Sequence, residues 1–575
     1  MNYNQTQKRM DPSPTRPWIK HYPPYLPEKL DLDKYPSLLH FFDQKMKEFQ
    51  PAPALENMGK MISYQELEDL STALAAYFQN ELGLRKGEVI AIQMPNILQY
   101  PIAIMAALKA GLIVVNTNPL YTPREMKHQF RDSGAKAIII LDNFASKLEE
   151  ILPDTAIETI ILTSLGDMLG GIKGKIIDFV VKKIKKMVPP FSLPKALNFK
   201  GCLRSGEKLA YTKPSVAGTD IAFLQYTGGT TGVSKGAILT HNNILANILQ
   251  IEVWPGSILE KAKETFITAL PLYHIYALTF NCFNAINLGA KSILITNPRD
   301  TKGFLKTLRK NDFTVFSGVN TLFNAMMAHP DFRKIKFSHL KVVTAGGMAL
   351  QSAVANKWKE LTGIPITEAY GLTETSPLLS SNLFNGKERL GTIGIPVLAT
   401  DMVILDEEEK EVPLGEAGEI CARGPQVFSG YWKQPEATKK AFTKDGKWFK
   451  TGDIGIMDEE GYFRIVDRKK DMILVSGFNV YPNEVEDVIA SHPKVLECGV
   501  VGISDSKSSE AVKAFIVKKD PSLTEEEILL HCKKNLAAYK RPKIVAFEKE
   551  LPKTNVGKIL RRVLKAENSA SPSSI

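Results

Sequence analysis

Apolar and polar positions follow two patterns along this chain. Short continuous apolar runs bounded by turn residues predict strands buried on both faces, and amphipathic stretches between several of them predict the helices that cover a parallel sheet. The runs lie at residues 89–94, 137–141, 159–163, 292–296, 315–318 and 341–346. The body of the chain is therefore predicted to have an α/β fold with parallel-type sheets.

The pattern changes after residue 403. Glycines punctuate short segments there and predict a small β region: Gly415, Gly418, Gly424 and Gly430. Beyond residue 470, a helix is predicted at 480–490, strands at 495–503 and 511–517, and a helix start at Thr524 with acids in its first turn. The expected organisation is an N-terminal extension (1–30), a large domain (31–469), a small α+β domain (470–566) and a flexible tail (567–575).

Residues 172–188 combine apolar and basic positions at helical spacing. At 100° per residue the apolar side chains fall on one side and the lysines on the other. The apolar set is Ile172, Ile176, Val180, Ile184 and Met187, and the basic set is Lys175, Lys182, Lys185 and Lys186. Such a helix suits an anionic membrane surface. The alternative is an ordinary surface helix packed on the core, with its lysines in solvent.

No stretch of the sequence predicts a membrane span. The longest apolar candidate, residues 100–115, contains Lys109 and Gly111 and is shorter than the roughly 20 residues that a bilayer requires. It is predicted to be a helix buried in a large domain. Residues 1–14 lack the apolar core of a signal peptide, so the protein is expected to be soluble or peripheral.

Composition narrows the class of protein without selecting one. The 575 residues are 44% hydrophobic and 23% charged, which is typical of a globular protein with more than one core. The net charge of +11 favours nucleic acid, anionic lipid or anionic small molecules, and the sequence carries no nucleic-acid-binding signature. Five cysteines without a CxxC pair indicate free thiols in a reducing compartment rather than zinc or disulfides.

The stretch 226–237 is rich in groups that bind phosphate. Its glycines can turn backbone NH groups inward, and its hydroxyl groups add donors beside a lysine. The residues concerned are Tyr226, Thr227, Gly228, Gly229, Thr230, Thr231, Gly232, Ser234 and Lys235. Two residues separate Gly232 from Lys235, so the spacing of a Walker A loop fails and a P-loop kinase or GTPase is not expected. A flexible surface loop is the alternative. The flanking pattern predicts strand, turn and helix.

Later segments carry residues suited to a nucleotide. In segment 368–377, Tyr370 can lie against a purine, Thr373 can donate to a phosphate oxygen and Glu374 can hold Mg²⁺ through oxygen. Segment 448–453 ends in Asp453, an acid suited to a ribose diol. Segments 462–477 and 551–562 are rich in cationic side chains.

In this order the segments resemble the signature motifs of the adenylate-forming superfamily, which includes acyl-CoA synthetases, luciferases and the adenylation domains of peptide synthetases. The resemblance extends from residue 62 to Arg562, and segments 116–125, 271–277 and 445–470 are similar to its bacterial long-chain fatty acyl-CoA synthetase branch. It implies a large adenylate-forming domain of several subdomains and a small mobile C-terminal domain. It also implies conversion of a fatty carboxylate to acyl-AMP and then to a CoA thioester.

The resemblance assigns roles in the first of these steps. Lys558 stabilises charge as the adenylate forms, Arg468 lies near ribose or phosphate, and Glu374 holds Mg²⁺ with Thr373 beside it. Lys235 and its loop hold the outer phosphates of ATP. Without the resemblance, Lys558 would be a solvated lysine in a basic tail.

The adenosine half of the nucleotide is assigned in the same way. Gly346 and Gly347 surround adenine together with Tyr370, and Asp453 binds the ribose hydroxyl groups. An isolated turn glycine, surface aromatic or ordinary salt bridge is the alternative for each.

The second step involves a hinge and a passage for coenzyme A. Lys470 occupies the hinge position on which the small domain swings in similar proteins, and Gly477 resembles the glycine past which the pantetheine arm reaches. Some relatives carry a second lysine four residues after the hinge. Leu474 stands at that position here, so no second catalytic lysine is assigned.

Acyl binding is assigned to two segments. His274 resembles the histidine at the mouth of the acyl pocket, although a neutral packed histidine fits equally well. Segment 317–327, which includes Gly318 and Val319, is apolar and contains two methionines suited either to an alkyl chain or to the core. Leu278 stands where relatives carry an aromatic gate.

The expected substrates are a long-chain fatty acid, ATP and coenzyme A, with Mg²⁺ as cofactor and an anionic membrane surface as partner. No nucleic acid is expected. The resemblance places the protein in the cytoplasm, peripherally attached to the inner membrane. The sequence does not decide whether it forms a homodimer. One alternative is an adenylate-forming ligase for another carboxylic acid or for an acyl carrier protein. Another is a membrane fatty-acid binder with a decayed ATP site, against which the intact motif residues argue.

Overall fold

The computed structural model describes residues 16–227, 234–384, 386, 388–476, 478–505, 508–554 and 557–569. Within these residues the strands form four sheets. The strands are β1 (Pro53–Asn57), β2 (Lys60–Ser63), β3 (Val89–Gln93), β4 (Ile113–Asn116), β5 (Ala137–Leu141), β6 (Thr159–Thr163), β7 (Leu197–Asn198), β8 (Ile221–Thr227), β9 (Lys235–Thr240), β10 (Thr265–Thr268), β11 (Lys291–Leu294), β12 (Val315–Gly318), β13 (Val342–Ala345), β14 (Thr367–Gly371), β15 (Leu378–Ser381), β16 (Ile395–Pro396), β17 (Asp401–Leu405), β18 (Gly418–Arg423), β19 (Phe449–Met457), β20 (Phe463–Arg468), β21 (Ile473–Val475), β22 (Phe478–Val480), β23 (Val495–Asp505), β24 (Ser509–Lys518) and β25 (Ile544–Glu548).

Helices connect many of these strands. They are α1 (Leu38–Glu48), α2 (Tyr64–Asn80), α3 (Gln99–Lys109), α4 (Pro123–Ser133), α5 (Ala145–Ile151), α6 (Gly171–Phe179), α7 (Phe199–Gly206), α8 (His241–Val253), α9 (Asn284–Asn287), α10 (Thr301–Lys310), α11 (Asn320–Ala328), α12 (Ser352–Thr362), α13 (Pro435–Ala441), α14 (Pro482–Ala490), α15 (Glu525–Asn535) and α16 (Arg561–Ser569). A π-helical turn, Val180–Ile184, follows α6, and another, Ala277–Phe283, leads into α9.

The first sheet has the strand order β7-β6-β5-β3-β4-β8-β9. Its neighbouring strands are parallel, except that β8 and β9 form an antiparallel hairpin. Strands β3 and β5 are buried at every position, because helices cover both faces of a parallel sheet. The predicted strands in this sheet are therefore confirmed.

The second sheet positions most of the candidate site. Its order is β16-β15-β14-β13-β12-β10-β11-β1-β2, and the pairs from β1 through β14 are parallel. Parallel strands end at the same edge of a sheet. The segments that follow β10, β12, β13 and β14 therefore meet at this edge, and they carry His274, Val319, Gly346 and Thr373.

Two smaller sheets follow. The third, β17-β18-β19-β20, is antiparallel and confirms the predicted small β region. The fourth contains β21 to β25 and packs with α14 and α15 in a separate core. The predicted C-terminal elements correspond to α14, β23, β24 and α15, and Thr524 caps α15 ahead of three glutamates. The mixed α/β class, with a large N-terminal and a small C-terminal domain, is confirmed.

Two local predictions are wrong. Residues 238–240, predicted as the start of a helix over 238–247, belong instead to β9, which pairs along β8 from Thr227↔Lys235 to Ile221↔Thr240. The helix begins only at His241, after the capping box of Thr240 and Asn243. Residues 100–115 are not one helix, because α3 ends at Lys109 and β4 follows from Ile113.

The basic segment has an unusual surface. Helix α6 begins at Gly171 and gives way to the π-helical turn after Phe179, so the predicted continuous helix to residue 188 is wrong. The large apolar side chains of segment 172–188 nevertheless face solvent. They are Ile172, which is 77% exposed, Ile176, Phe179, Ile184 and Met187. A Cβ at Gly174 would overlap the carbonyl of Gly166, so the helix packs through its glycine face. The core-packed alternative is therefore wrong for these side chains.

Among the described residues, no helix combines the length and the apolar character that crossing a membrane requires.

Candidate active site

The hairpin of β8 and β9 holds the two ends of the glycine-rich loop. Thr227 ends β8 and Lys235 begins β9, and these two residues are paired in the ladder. Ser234 lies at the rim, where its carbonyl is 2.8 Å from Nε2 of His128. The predicted phosphate-binding residues Gly228, Gly229, Thr230, Thr231 and Gly232 lie outside the described residues.

The side chain of Tyr226 lies on the far face of this hairpin. Its hydroxyl donates to Oδ2 of Asp132 on α4 at 2.5 Å, and its ring packs against Gly236. The neighbouring Gln225 points to the other face, where its amide donates to the carbonyl of Tyr273. Tyr226 therefore supports the loop through its strand, while its side chain is engaged elsewhere.

Lys235 and Glu374 meet at a tyrosine that the motifs did not indicate. The ammonium of Lys235 lies 5.1 Å from the ring centre of Tyr431, within cation–π distance. The hydroxyl of Tyr431 donates to Oε1 of Glu374 at 2.7 Å. Burial and the Glu374 carboxylate raise the pKa of Tyr431, so the tyrosine stays a hydrogen-bond donor.

Backbone contacts hold this group in place. Residue 431 forms an antiparallel bridge with Ala237, and the NH of Trp432 donates to the carbonyl of Gly236. The NH of Phe428 donates to the carbonyl of Glu374 at 2.8 Å. Glu374 is only 8% exposed and lies in a short turn after β14 together with Thr373. Two sequence segments far from each other thus converge on the end of the glycine-rich loop.

Asp453 is the centre of a buried charged group. Its Oδ1 lies 2.6 Å from Nε of Arg468, the residue opposite it in the β19–β20 ladder. Its Oδ2 accepts a hydrogen bond from the hydroxyl of Tyr370 at 2.6 Å. Burial of Arg468 works against its charge, but Asp453, together with Tyr370, Glu374 and Asp471, outweighs this effect and the pKa of Arg468 is raised. Three predicted site residues are therefore in direct contact.

Gly346 and Gly347 form an open edge after β13. A Cβ at Gly346 would lie 3.2 Å from the carbonyl of Ala369 and 3.3 Å from Cε1 of Tyr276, so a side chain would crowd both. Gly347 has φ of +82°, a backbone conformation that favours glycine, and no heavy atom lies within 4 Å of the place where a Cβ would stand. The surface beside Gly347 is free to receive a flat ligand.

The loop that carries Lys558 is docked on the large domain. Gly557 has φ of +81°, and a Cβ there would overlap Oγ1 of Thr321 and lie 3.3 Å from Cγ2 of Val319. The loop is closed by its own backbone, since the NH of Thr554 donates to the carbonyl of Lys558 at 2.7 Å. Lys558 is thereby brought to the edge of the second sheet where the other candidate residues meet.

Charges around Lys558 change its protonation. Burial, then the positive charge of Arg468, lowers the pKa of Lys558 from 10.5 to about 8, although Asp453 opposes the shift. His274 lies close enough to sense this lysine: burial, then the charge of Lys558, lowers the pKa of His274 to about 4. His274 is therefore neutral at physiological pH, as the packed-histidine alternative also predicts.

Arg561 clamps the hinge region, and the sequence did not indicate it. Its guanidinium lies 2.8 Å from Glu486, 3.2 Å from Asp467 and 3.4 Å from Asp471. Burial raises the pKa of Asp467 to about 6, although Arg561 opposes the shift. Lys470 lies between the two aspartates, in the turn from β20 to β21. The clamp therefore holds residues on both sides of the predicted hinge.

A small apolar cavity of about 40 Å³ lies beside Tyr276, which is room for a water molecule or a few. Its lining is mostly aliphatic and aromatic: Ile251, Trp254, Pro255, Leu259, Tyr276, Phe280, Asn284, Val342, Thr344, Ala369, Pro377, Leu378, Ser381 and Phe384. Ala369 lines this cavity, and the next residue of β14, Tyr370, contacts Asp453. The cavity and the charged group thus share one strand.

The predicted acyl segment after β12 does not line this cavity. A Cβ at Gly318 would lie 2.8 Å from the ring of Phe323, and Val319 contacts the Lys558 loop. The methionines of this segment, Met326 and Met327, pack in a hydrophobic cluster around Trp358, which favours the core alternative. Leu278 is fully buried. Gly477 lies outside the described residues, and Leu474 is exposed.

Adenylation is expected to lose efficiency as the pH rises through about 8. The ammonium of Lys558 is charged below its pKa, so raising the pH through about 8 removes the charge that stabilises the transition state. The value of kcat/KM for ATP, measured against pH, should therefore fall with this apparent pKa. A Lys558→Arg variant should keep a flat profile to higher pH, because arginine stays protonated. A wild-type profile that stays flat to pH 10 would contradict the role of Lys558.

Comparison with known proteins places this arrangement in a family. Residues 42–432 match the AMP-binding enzyme model, and residues 484–558 match the AMP-binding enzyme C-terminal domain. The chain is 52% identical to a long-chain-fatty-acid–CoA ligase of Escherichia coli O6:H1 over 96% of this chain and 98% of the relative. It is 53% identical to a protein of the same name from Yersinia pestis, with the same coverage.

A solved structure agrees with the sequence relatives. The anthranilate CoA ligase AuaEII in complex with anthranoyl-AMP matches with a TM-score of 0.82 at 26% identity, over 95% of this chain and 99% of that one. The match covers both the large domain and the docked small domain. With a family match over most of its length and full-length relatives at about half identity, the chain belongs to the family of AMP-binding, adenylate-forming enzymes.

Proposed function

We propose that this enzyme joins a long-chain fatty acid to coenzyme A, using ATP. One observation carries the proposal: Ala369 lines the apolar cavity, and its neighbour Tyr370 belongs to the group that contains Asp453 and Arg468. An acyl chain that entered along this apolar lining and widened the cavity would present its carboxylate to a nucleotide held by that group. Relatives with more than half of their residues identical carry the matching name.

The first step is attack of a carboxylate oxygen on the α-phosphorus of ATP. A bond forms between these atoms, the bond to the bridging oxygen of pyrophosphate breaks, and acyl-AMP results. Negative charge spreads over the phosphoryl oxygens, so positioning and charge stabilisation supply most of the catalysis. Lys558 and Arg468 supply positive charge at the α-phosphate, and Lys235 holds the outer phosphates. His274 is neutral, so it adds no positive charge at the phosphates.

Residues of this chain also suit Mg²⁺. Among the described residues, no cluster of three or more His, Cys, Asp or Glu side chains is arranged to hold a metal ion. One carboxylate together with substrate phosphates is a usual magnesium site, and Glu374 supplies that carboxylate beside the glycine-rich loop. Tyr431 orients it. Bound Mg²⁺ would neutralise charge on the phosphates and on the departing pyrophosphate.

In the second step the sulfur of coenzyme A attacks the acyl carbonyl, a thioester forms and AMP leaves. The Lys558 loop packs directly against Val319 and Thr321, so this arrangement belongs to the first step. We propose that the small domain then swings about Lys470 and withdraws the loop. The Arg561 clamp crosses the hinge through Asp467 and Asp471, so it favours the docked state.

The proposed activity is tested by turnover across a series of fatty acids with ATP and coenzyme A, measuring both AMP and thioester. Each buried methylene contributes about 0.8 kcal/mol, so kcat/KM should rise with chain length for as long as each added carbon is buried in the enzyme. An assay with acyl carrier protein in place of coenzyme A tests the alternative that the carrier protein is the acceptor. Equal turnover of short and long acids would contradict a long-chain substrate.

We further propose that α6 and the π-helical turn attach the enzyme to the anionic cytoplasmic face of the inner membrane. Five large apolar side chains face solvent in these two elements and just after them, with Lys175, Lys183, Lys185 and Lys186 exposed around them. Lys182 is tied to Asp142 at 2.8 Å instead. Apolar side chains suit the acyl boundary of a bilayer, and lysines suit anionic headgroups.

Replacing Ile172, Ile176 and Phe179 by serine should weaken binding to phosphatidylglycerol vesicles at least ten-fold, because each side chain loses apolar burial. Activity in detergent should stay unchanged. The matched control replaces three exposed leucines on other surfaces, Leu120, Leu414 and Leu530, and should bind vesicles normally. Vesicle sedimentation measures both variants. Equal binding by wild type and the serine variant would contradict the attachment.

A further inference from the structure

The segment between β13 and α12 is held by side chains from three different elements. It contains Gly346 and Gly347, the glycines assigned to adenine, and it ends where α12 begins at Ser352. Three successive backbone NH groups, those of residues 350–352, each donate to a side-chain oxygen. NH groups at the start of a helix have no partner inside the helix, so these oxygens fix both the helix start and the segment before it.

Two of the three oxygens belong to the large domain. Oε1 of Glu368 on β14 accepts from the NH of Leu350 at 3.1 Å. Oδ1 of Asn320, the first residue of α11, accepts from the NH of Gln351 at 3.1 Å, and its amide donates to the carbonyl of Ala349 at 2.7 Å. Both side chains are buried. These contacts do not depend on the position of the small domain.

The third oxygen comes from the small domain. Oδ1 of Asp487 on α14 accepts from the NH of Ser352 at 3.2 Å. A carboxylate is favoured at this place, because the N-terminus of a helix carries partial positive charge. The contact joins the two domains, so it exists only while the small domain is docked.

Helix α14 is also fastened to the large domain one turn earlier. Oδ2 of Asp467 on β20 accepts from the NH of Asn483, in the first turn of α14, at 2.8 Å. Asn483 and Asp487 are four residues apart, so they lie on the same face of the helix. The helix therefore connects the hinge region to the segment that contains Gly346 and Gly347.

We propose that Asp487 is a positioning residue for adenylate formation, which ties the small domain to the segment beside the adenine site. Coupling between two binding events is reciprocal. Docking of the small domain stabilises the segment that holds ATP, and bound ATP stabilises the docked domain. The contact has to break before the small domain swings for the second step. This inference rests on the proposed function.

Asp487→Ala should slow the exchange of pyrophosphate into ATP about ten-fold, as expected for one hydrogen bond to a charged group. The KM for ATP should rise, while the KM for coenzyme A stays unchanged. Thioester formation from supplied acyl-adenylate should keep at least the wild-type rate, because that step needs the contact broken. Equal loss of both half-reactions, or no loss of exchange, overturns the inference.

Glu484→Ala is the matched control for Asp487→Ala. Glu484 is exposed on the same helix, and its partner at 2.7 Å, Lys540, belongs to the small domain. This variant loses a carboxylate without losing a contact between domains, so both half-reactions should stay at the wild-type rate. A loss of exchange equal to that of Asp487→Ala would overturn the inference.

Ser352→Pro removes the same hydrogen bond from the other partner. Proline lacks an NH and suits the first position of a helix, and Gln351 has the extended backbone (ψ 129°) that a residue before proline requires. The variant should therefore fold and slow exchange as much as Asp487→Ala does. Ser352→Ala keeps the NH and should exchange normally.

The double variant Asp487→Ala/Ser352→Pro should exchange no more slowly than either single variant, because both changes remove one contact. Additive losses overturn the inference. If the wild type exchanges with a fatty acid while both single variants match it, this inference alone is overturned and the proposed function stands. If the wild type exchanges with no fatty acid, the proposed function is overturned and this inference with it.

Discussion

Lys558→Ala is expected to slow adenylate formation by about 10²- to 10³-fold, the usual loss when one stabilising donor is removed from a transition state. The reason is the docked loop, in which Gly557 packs on Thr321 and brings Lys558 to Arg468 and Asp453. The same variant should convert chemically synthesised acyl-adenylate to thioester at close to the wild-type rate. The two half-reactions are measured separately, by pyrophosphate exchange and by thioester formation.

Lys549→Ala is the matched control, because Lys549 is an exposed lysine of the same small domain. It should leave both half-reactions unchanged. Equal loss of both half-reactions in Lys558→Ala would contradict a role confined to adenylate formation, and it would indicate a structural role for the loop.

Asp453→Asn should lower kcat/KM for ATP by about ten- to hundred-fold, with a much smaller effect on the KM of coenzyme A. Hydrogen bonds to charged groups contribute about 1.5–3 kcal/mol, and the variant loses the charge that is proposed to bind the ribose. It also removes the negative charge that lies 2.6 Å from Arg468, so the melting temperature should fall. Steady-state kinetics and thermal unfolding test the two effects.

Glu459→Gln provides the control for Asp453→Asn. Glu459 is exposed in the turn that joins β19 to β20, so the same change from carboxylate to amide should affect neither kcat/KM nor the melting temperature. If Asp453→Asn had equal effects on ATP and coenzyme A, its proposed contact with the ribose would be wrong.

The fold could be predicted where the local pattern of apolar residues matches the burial of those residues in the folded protein. Residues 137–141 form a continuous apolar run, and the strand β5 occupies the same residues, since a strand with both faces covered has no polar side. The helix predicted from residue 238 was wrong at residues 238–240, because β9 is defined by its pairing with β8, while the adjacent apolar positions also fit a helix. The cap at Thr240 was the one local signal that separated strand from helix.

The candidate site was predictable only where a motif carries it. Asp453, Arg468 and Tyr370 belong to recognisable segments, and they lie in direct contact. Tyr431 and Arg561 were not predicted as site residues, because their partners are distant in sequence. Glu374 is 57 residues from Tyr431, and Asp467 is 94 residues from Arg561. No spacing rule reports such contacts. An isolated tyrosine or arginine has too many surface roles to be singled out.

Exchange of labelled pyrophosphate into ATP tests whether an acyl-adenylate forms while the small domain is docked. The purified enzyme is incubated with ATP, Mg²⁺ and a long-chain fatty acid, with coenzyme A omitted. Exchange should depend on the fatty acid, proceed without coenzyme A and disappear in Lys558→Ala. Exchange that is absent with every fatty acid, or that requires coenzyme A, would contradict the proposed mechanism.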